Sequence, residues 1–213
     1  NPINSGPLGT NLLIWGASAT TTELFAYNGH QTLGNPLRIQ FGPLAFNSAD
    51  NLTFTGVVDL NNGNRAVYVT NSGVLRFLGT ITNGTGLTKT GLGVLELGGT
   101  NVANWNNGLS IFGGTVRLRA NDVIPDGAGK GTLRMTNTAQ VLDLNGFSDT
   151  INGLAGLGGL GSWVGTIDNT AAGTTSVLTV GDAFTYTLLG QIKNSGSDAR
   201  LALVKAGSGG LIL

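Results

Sequence analysis

The chain has 213 residues, of which 36 are glycine, one is histidine and none is cysteine, and its 11 basic residues balance its 11 acidic residues. Zero net charge without a basic run excludes a nucleic-acid partner, and the lack of cysteine excludes disulfides, zinc–thiolate sites and thiol nucleophiles. One histidine cannot form a multi-histidine metal centre, and no apolar run approaches the roughly 20 residues of a membrane helix. We therefore expect a folded chain with no metal, no cofactor and no membrane span in this segment.

The predicted elements are short strands, because apolar and polar residues alternate with a period of two. Only residues 20–26 suggest a helix, and that stretch is short and rich in threonine, so almost no α-helix is expected. Asparagine–glycine pairs, which favour tight turns, begin at six positions between the strands. The strand segments lie at residues 37–41, 52–54, 66–70, 74–77, 115–119, 141–144 and 184–188; the Asn-Gly pairs begin at Asn28, Asn62, Asn83, Asn107, Asn145 and Asn152.

An internal repeat organises these strands. The pattern L-x-K-x-G-x-G-x-L-x-L occurs at residues 87–97 and again at 203–213, so that Lys89 corresponds to Lys205. Smaller strand–turn units recur about every 20–25 residues, which is the length of one coil in a parallel β-helix. Strands of neighbouring coils lie about 4.8 Å apart, so like charges would repel, and we expect charge-poor faces with ladders of threonine and asparagine.

The segment 79–118 resembles the autotransporter-associated β-strand repeat of bacterial passenger domains, and a second copy spans 190–213. The motif residues are Gly84, Gly86, Leu87, Lys89, Gly91, Gly93, Leu95, Leu97, Gly113, Gly114, Leu203, Lys205, Gly207, Gly209, Leu211 and Leu213. The resemblance implies an all-β, right-handed parallel β-helix, here of roughly eight to ten coils. Residues 56–213 form the β-helix in this interpretation, and residues 1–55 form an N-terminal β segment that either continues or caps it.

The resemblance also implies a structural function outside the cell. We expect a stalk, spacer or self-assembling filament in a bacterial surface or secreted protein, whose partners are further repeats of the same polypeptide or identical copies. The chain begins at Asn1 and stops at residues 210–213 within a strand pattern, which suggests a processed product or a fragment. The repeat carries no catalytic residues in that family, so none is transferred and no enzymatic activity is expected.

Two other classes of function remain as alternatives. An adhesin could contact cell-surface glycans through Trp105, which lies in an asparagine-rich loop, and through Arg117 and Arg119, which should face solvent on one strand. Trp163 is expected in the core. The third class is a polysaccharide-cleaving enzyme, which would need carboxylates clustered on adjacent coils. The acidic residues are scattered instead, and the closest pair is Asp122 and Asp126, in a loop that could hold a cation weakly.

Three further features are typical of turns and loops. Residues 156–161 satisfy the G-x-G-x-x-G pattern, but no helix is predicted after them, so a tight loop is favoured over a nucleotide site. Residues 127–131 are glycine-rich around Lys130 but lack the serine or threonine of a phosphate-binding loop. His30 stands alone beside an Asn-Gly pair and is expected to be an exposed loop residue.

Overall fold

The computed structural model describes residues 8–16, 18–100, 105–156, 159–160 and 162–213, and this part of the chain contains strands and no helix. The 23 strands are β1 (Leu13–Trp15), β2 (Thr22–Leu24), β3 (Gln31–Leu33), β4 (Leu37–Ile39), β5 (Leu44–Phe46), β6 (Leu52–Phe54), β7 (Val58–Val69), β8 (Leu75–Phe77), β9 (Ile81–Thr90), β10 (Val94–Leu97), β11 (Gly108–Ile111), β12 (Thr115–Leu118), β13 (Thr132–Arg134), β14 (Thr136–Asp143), β15 (Asp149–Ile151), β16 (Gly153–Gly156), β17 (Gly159–Leu160), β18 (Ser162–Asp168), β19 (Thr175–Val180), β20 (Tyr186–Leu188), β21 (Gln191–Lys193), β22 (Arg200–Lys205) and β23 (Leu211–Ile212).

The strands stack in parallel, each on the corresponding strand of the next coil. They form two ten-stranded sheets and one sheet of three strands, β15-β19-β22. Among the described pairs, only β16 and β17 run antiparallel, as a short hairpin. The chain is therefore a parallel β-solenoid of about eight turns, which confirms the predicted architecture.

One column of paired strands shows the coil length directly. Register partners along β3, β6, β8, β10 and β12 are separated by 21, 23, 20 and 21 residues, and the partners along β12, β14, β18 and β21 by 26, 25 and 25. The first series is Leu33, Phe54, Phe77, Leu97 and Leu118, and the second is Arg117, Asp143, Asp168 and Lys193. The C-terminal coils of this column are therefore longer than the N-terminal ones, and the spacing of 26 residues from Arg117 to Asp143 exceeds the predicted range of 20–25.

The core fills the inside of the coils. Every second residue of a strand points inward, so apolar residues of successive coils stack on one another, as Phe54 does on Phe77 with ring centroids 6.0 Å apart. Leu37, Phe46, Val67 and most other inward residues are fully buried. Removing these stacked apolar surfaces from water is the main favourable contribution to folding.

Asparagine residues with positive φ turn the chain at the corners. Five of the six predicted Asn-Gly pairs have an asparagine in this conformation, and Asn152 is the exception. Two of them, Asn62 and Asn83, lie inside the long strands β7 and β9 and bend these strands from one wall of the solenoid to the next. The Asn-Gly signal therefore marks corners as well as strand ends.

The N-terminal region takes part in the same stack. β1, β2 and β3 pair in parallel with β4, β5 and β6, so the ladder of coils runs without a break across residue 55. The weak helical stretch at residues 20–26 contains the strand β2 instead. Parallel pairing with the next coil outweighs the slight local tendency of this stretch to form a helix.

Candidate functional site

The repeat-motif lysine, Lys89, points into the solenoid. It occupies an inward position between Val67 and Ile111 in the stacked coils, and its side chain is fully buried. Its ammonium donates hydrogen bonds to the carbonyl oxygens of Thr90 and Gly91 at 2.8 Å and of Gly113, in the next coil, at 3.1 Å. Burial lowers the pKa of Lys89 to about 8, so the group is still mainly protonated at neutral pH. Lys89 thus joins two coils through their backbones.

Lys205, the corresponding lysine of the second copy, also points inward, from β22. Its ammonium donates to the carbonyl oxygen of Asp182 in the preceding coil and lies 3.7 Å from the Asp182 carboxylate. The same carboxylate accepts a hydrogen bond from the buried hydroxyl of Tyr186. Burial and this neighbouring charge raise the pKa of Tyr186. Both motif lysines therefore bind backbone carbonyls across coils, although they lie in different sheets.

The glycines of the motif allow close contact at one corner of the solenoid. Gly91 has a φ of +78°, and a β-carbon at this position would collide with the carbonyl oxygen of Val69 in the previous coil. Gly114 would meet the carbonyl oxygen of Gly93 at 2.5 Å in the same way. These contacts explain why glycine recurs at fixed offsets from the lysine.

The motif leucines of the two copies differ in burial. Leu87, Leu95 and Leu97 are buried. Leu203 and Leu211 are half-buried against the core, and Leu213 is 93% exposed.

Trp105 does not lie in an exposed loop, contrary to expectation. It pairs with Gly84 of the preceding coil and is only 1% exposed, so its indole ring offers no face to a sugar. A β-carbon at Gly84 would collide with the side chain of Leu60, which is also buried. Trp163 is fully buried in the core, as predicted.

Arg117 points outward, as predicted, but its guanidinium is already paired. Along one column of the outer wall, Arg76, Glu96, Arg117 and Asp143 are successive register partners, and we call these four residues the ion ladder. Arg76 Nε lies 2.6 Å from Glu96, and Arg117 lies 3.5 Å from Glu96 and 2.7 Å from Asp143. Burial by itself would lower the pKa of Arg117, but its hydrogen bond to Asp143 and the two carboxylates raise it.

The ion ladder corrects the expectation of charge-poor faces. The repulsion argument holds only for like charges, and here positive and negative side chains alternate from coil to coil. Glu96 and Asp143 are almost fully buried beneath the arginines, with 3% and 1% of their side chains exposed. Arg119 joins from the side, 3.8 Å from Glu96 and about half exposed.

The ladder ends at Asp143, whose register partner in the next coil, Asp168, carries the same charge. The two carboxylates are satisfied by different groups. Asp143 accepts hydrogen bonds from Arg117 and from the Thr170 hydroxyl at 2.7 Å, and Asp168 accepts from the backbone and hydroxyl of Ser195. Hydrogen bonds to turns therefore replace ion pairs at this point.

Asp149 is a buried carboxylate that the sequence did not single out. Its Oδ2 accepts hydrogen bonds from the backbone N–H groups of Val123 and Ile124 at 2.9 and 3.0 Å, whereas Oδ1 has no partner among the described residues. Burial raises the pKa of Asp149 to about 7, and the nearby charge of Asp122 acts in the same direction. Asp149 ties the loop after Asn121 to the following coil.

The remaining candidate positions show ordinary structure. His30 is an exposed loop residue, as predicted, and its Nδ1 accepts a hydrogen bond from the Asn51 backbone. Gly127, Gly129 and Gly131 form turns with positive φ, whereas residues 157, 158 and 161 of the G-x-G-x-x-G stretch lie outside the described residues.

In the described part of the chain, no group of three or more histidine, aspartate or glutamate side chains is placed to hold a metal ion. Within the same part of the chain, there is no helix with the length and apolar character needed to cross a membrane.

Comparison with known proteins adds no relative. No family model matches the chain, and neither does any curated protein or solved structure. The fold and the contacts of the charged side chains therefore define only a class of architecture. It is a parallel β-solenoid whose coils are joined by buried lysines and by an outer ion ladder.

Proposed function

We propose that this chain is a structural segment of a bacterial cell-surface or secreted protein, a rigid spacer that holds other parts of the molecule at a fixed distance. The observation that carries the proposal is the continuous stack of coils. Eight strands of one column follow each other in parallel from β3 to β21, which corresponds to about 35 Å along the axis at 4.8 Å per coil. In and beside the first repeat copy, Lys89, Glu96 and Arg117 contact residues of neighbouring coils.

A mechanical measurement tests the spacer role. Optical tweezers attached at the two ends would pull the chain apart, and a stack of separately joined coils should unravel in steps of about 20–26 residues. At roughly 3.3–3.6 Å per extended residue, each step lengthens the tether by about 70–90 Å. Gradual extension at low force, without discrete steps, would contradict a rigid spacer.

The proposed location outside the cell is tested separately. Antibodies raised against the purified chain should label intact cells of the source organism, or protein in the culture medium. Labelling that requires permeabilised cells would contradict the extracellular assignment, whatever the mechanical result.

The partner that suits this geometry is another coil of the same kind. Leu13 and Leu24 in the first coils and Leu203 and Leu211 in the last are inward residues that are only half-buried. A further coil, from the same polypeptide or from an identical copy, would cover them as the inner coils cover one another. Sedimentation velocity over a hundredfold range of concentration tests whether identical copies associate. Association predicts larger species at high concentration, and a monomer at every concentration argues against it.

A further inference from the structure

A polar cleft of about 300 Å³ lies on the outer surface of one wall, across β7, β9, β11 and β13. It exists because two neighbouring outward positions are glycines. Asn64 is the register partner of Gly86, Gly86 lies beside Gly108, and Gly108 pairs with Thr132. These four positions form one column across the coils. The two glycines leave a depression in its middle, and the side chains of Asn64 and Thr132 lie at its two ends.

Glycine is required at one of these two positions. Gly108 has a φ of +110°, and a β-carbon there would collide with the backbone of Thr132. Gly86 has no positive φ, and its β-carbon would lie 3.2 Å from the side-chain oxygen of Asn64. At Gly86 the backbone alone does not demand glycine, and the missing side chain leaves the cleft open.

Arg134 supplies the positive charge of the cleft. In the described part of the chain no carboxylate lies within 4 Å of its guanidinium, whereas Arg76 and Arg117 each pair with one at under 3 Å. The hydroxyl groups of Ser110, beside Arg134 in register, and of Thr132 likewise have no hydrogen-bond partner among the described residues. Three polar side chains thus converge on one open space with their bonding capacity unused.

The dimensions and chemistry of the cleft select the class of ligand. From Asn64 to Thr132 it spans three coil spacings, about 14 Å, which is too long for a single small anion. The wall's backbone groups are already paired within the sheet, so a peptide strand cannot add to it. A cleft with one arginine in its lining, on a chain of zero net charge, does not suit a nucleic acid. An extended ligand rich in hydroxyl groups and carrying a carboxylate fits all three constraints.

We propose that this cleft binds a linear acidic oligosaccharide lying along the solenoid axis. Arg134 receives a sugar carboxylate through paired N–H groups, and Ser110, Thr132 and Asn64 bind sugar hydroxyls across successive coils. The site shares no residue with Trp105, Arg117 and Arg119, the candidates suggested by the sequence. It goes beyond the spacer role and does not depend on it.

Titration calorimetry with a hexasaccharide of galacturonic acid is the first test, and the fully methyl-esterified hexasaccharide is the matched uncharged probe. We expect saturable binding of the acidic form and at least tenfold weaker binding of the ester. Arg134→Gln should weaken binding of the acidic form at least tenfold. Arg200→Gln, which changes an exposed arginine outside the cleft, should leave the affinity unchanged.

A bulky substitution and a panel of acidic sugars complete the test. Ser110→Tyr places a large side chain at an outward position and should block binding while leaving the circular dichroism and melting temperature unchanged. Hexamers of hyaluronan and of sialic acid extend the test to other acidic sugars. The proposal is overturned if none of the three acidic oligosaccharides binds, if Arg134→Gln binds like the wild type, or if free galacturonic acid binds as tightly as its hexamer.

Discussion

Ionisable side chains lie both inside the solenoid and on its outer wall, but their hydrogen-bond and ion-pair partners differ in kind. Inside, Lys89 and Asp149 are fully or almost fully buried and bind backbone groups of their own and neighbouring coils. Outside, Glu96 and Arg117 bind charged side chains of the coils next to them. The comparison shows that backbone geometry provides the partners of a buried ionisable group. The register between coils provides the partners of a charged group on the outer wall.

The largest expected effect comes from the inner lysine. Lys89→Ala should lower the free energy of unfolding by about 3–5 kcal/mol, because it opens a cavity and leaves three carbonyl oxygens without their donor. Lys89→Met keeps most of the apolar stem and should cost less, about 1–3 kcal/mol. Guanidinium denaturation measures both. Lys193→Ala, at an exposed strand position, is the control, and an equal loss for Lys89→Ala and this control would refute the inner role.

The inner carboxylate should make stability depend on pH. Asp149 has a pKa of about 7 in the folded state, above its ordinary value of 3.8, so between these values the folded state holds a proton that the unfolded state has lost. The free energy of unfolding should therefore fall as pH rises from about 4 to 7, by at most about 1.4 kcal/mol per unit, and then level off.

Asp149→Asn tests that assignment. The amide oxygen can still accept from Val123 and Ile124, but the group no longer titrates, so this contribution to the pH dependence should disappear. Denaturation curves at several pH values measure it, and Asp198→Asn, at an exposed aspartate, should keep the wild-type slope. A slope unchanged in Asp149→Asn would assign the effect to another group.

A moderate effect is expected from the outer wall. Glu96→Gln removes the negative charge that faces Arg76 and Arg117 and should lower the free energy of unfolding by about 2 kcal/mol. Glu23→Gln changes the other glutamate of the chain, which is exposed on β2, and should be nearly neutral. High salt should narrow the difference between wild type and Glu96→Gln, because part of it is electrostatic and near the surface. Equal free energies of unfolding for Glu96→Gln and Glu23→Gln would show that the ion ladder does not stabilise the fold.

The smallest effect is expected at the edge of the ladder. Arg119 is about half exposed and lies 3.8 Å from Glu96, so Arg119→Gln should change the free energy of unfolding by less than about 0.5 kcal/mol. A double-mutant cycle with Glu96→Gln measures the coupling between the two residues. A coupling energy above about 1 kcal/mol would show that Arg119 belongs to the ladder after all.

The inward position of the motif lysine could be inferred from the sequence. Leu87 and Lys89 are two residues apart in one strand, so they share a face, and Leu87 is plainly a core residue. The spacing of two residues therefore places Lys89 inside as well, although a charged side chain considered alone favours an outward position. The burial of Trp105 could not be inferred in this way, because the residue pairs with Gly84 of the preceding coil and the sequence does not show that pairing.

The ion ladder could not be inferred in the same way. Its partners are 20, 21 and 26 residues apart, and coil length changes from one turn to the next. Without the register, Arg117 looks like an isolated charge facing solvent. The same uncertainty hides the bond between Asp149 and Val123 and the cleft beside Arg134, since each is formed by residues of different coils.

The sequence by itself determined the short strands, the near-complete lack of helix and most of the Asn-Gly corners. These properties follow from local signals, the period of two in the strands and the conformational freedom of asparagine and glycine. The parallel β-solenoid was predicted from the internal repeat and from the family resemblance that the repeat carries. Only the tertiary structure decided which charges meet, which carboxylate is buried and where the outer wall is open. Stacking brings together residues 20 or more positions apart, and the number of residues in each turn, which no local pattern fixes, sets their alignment.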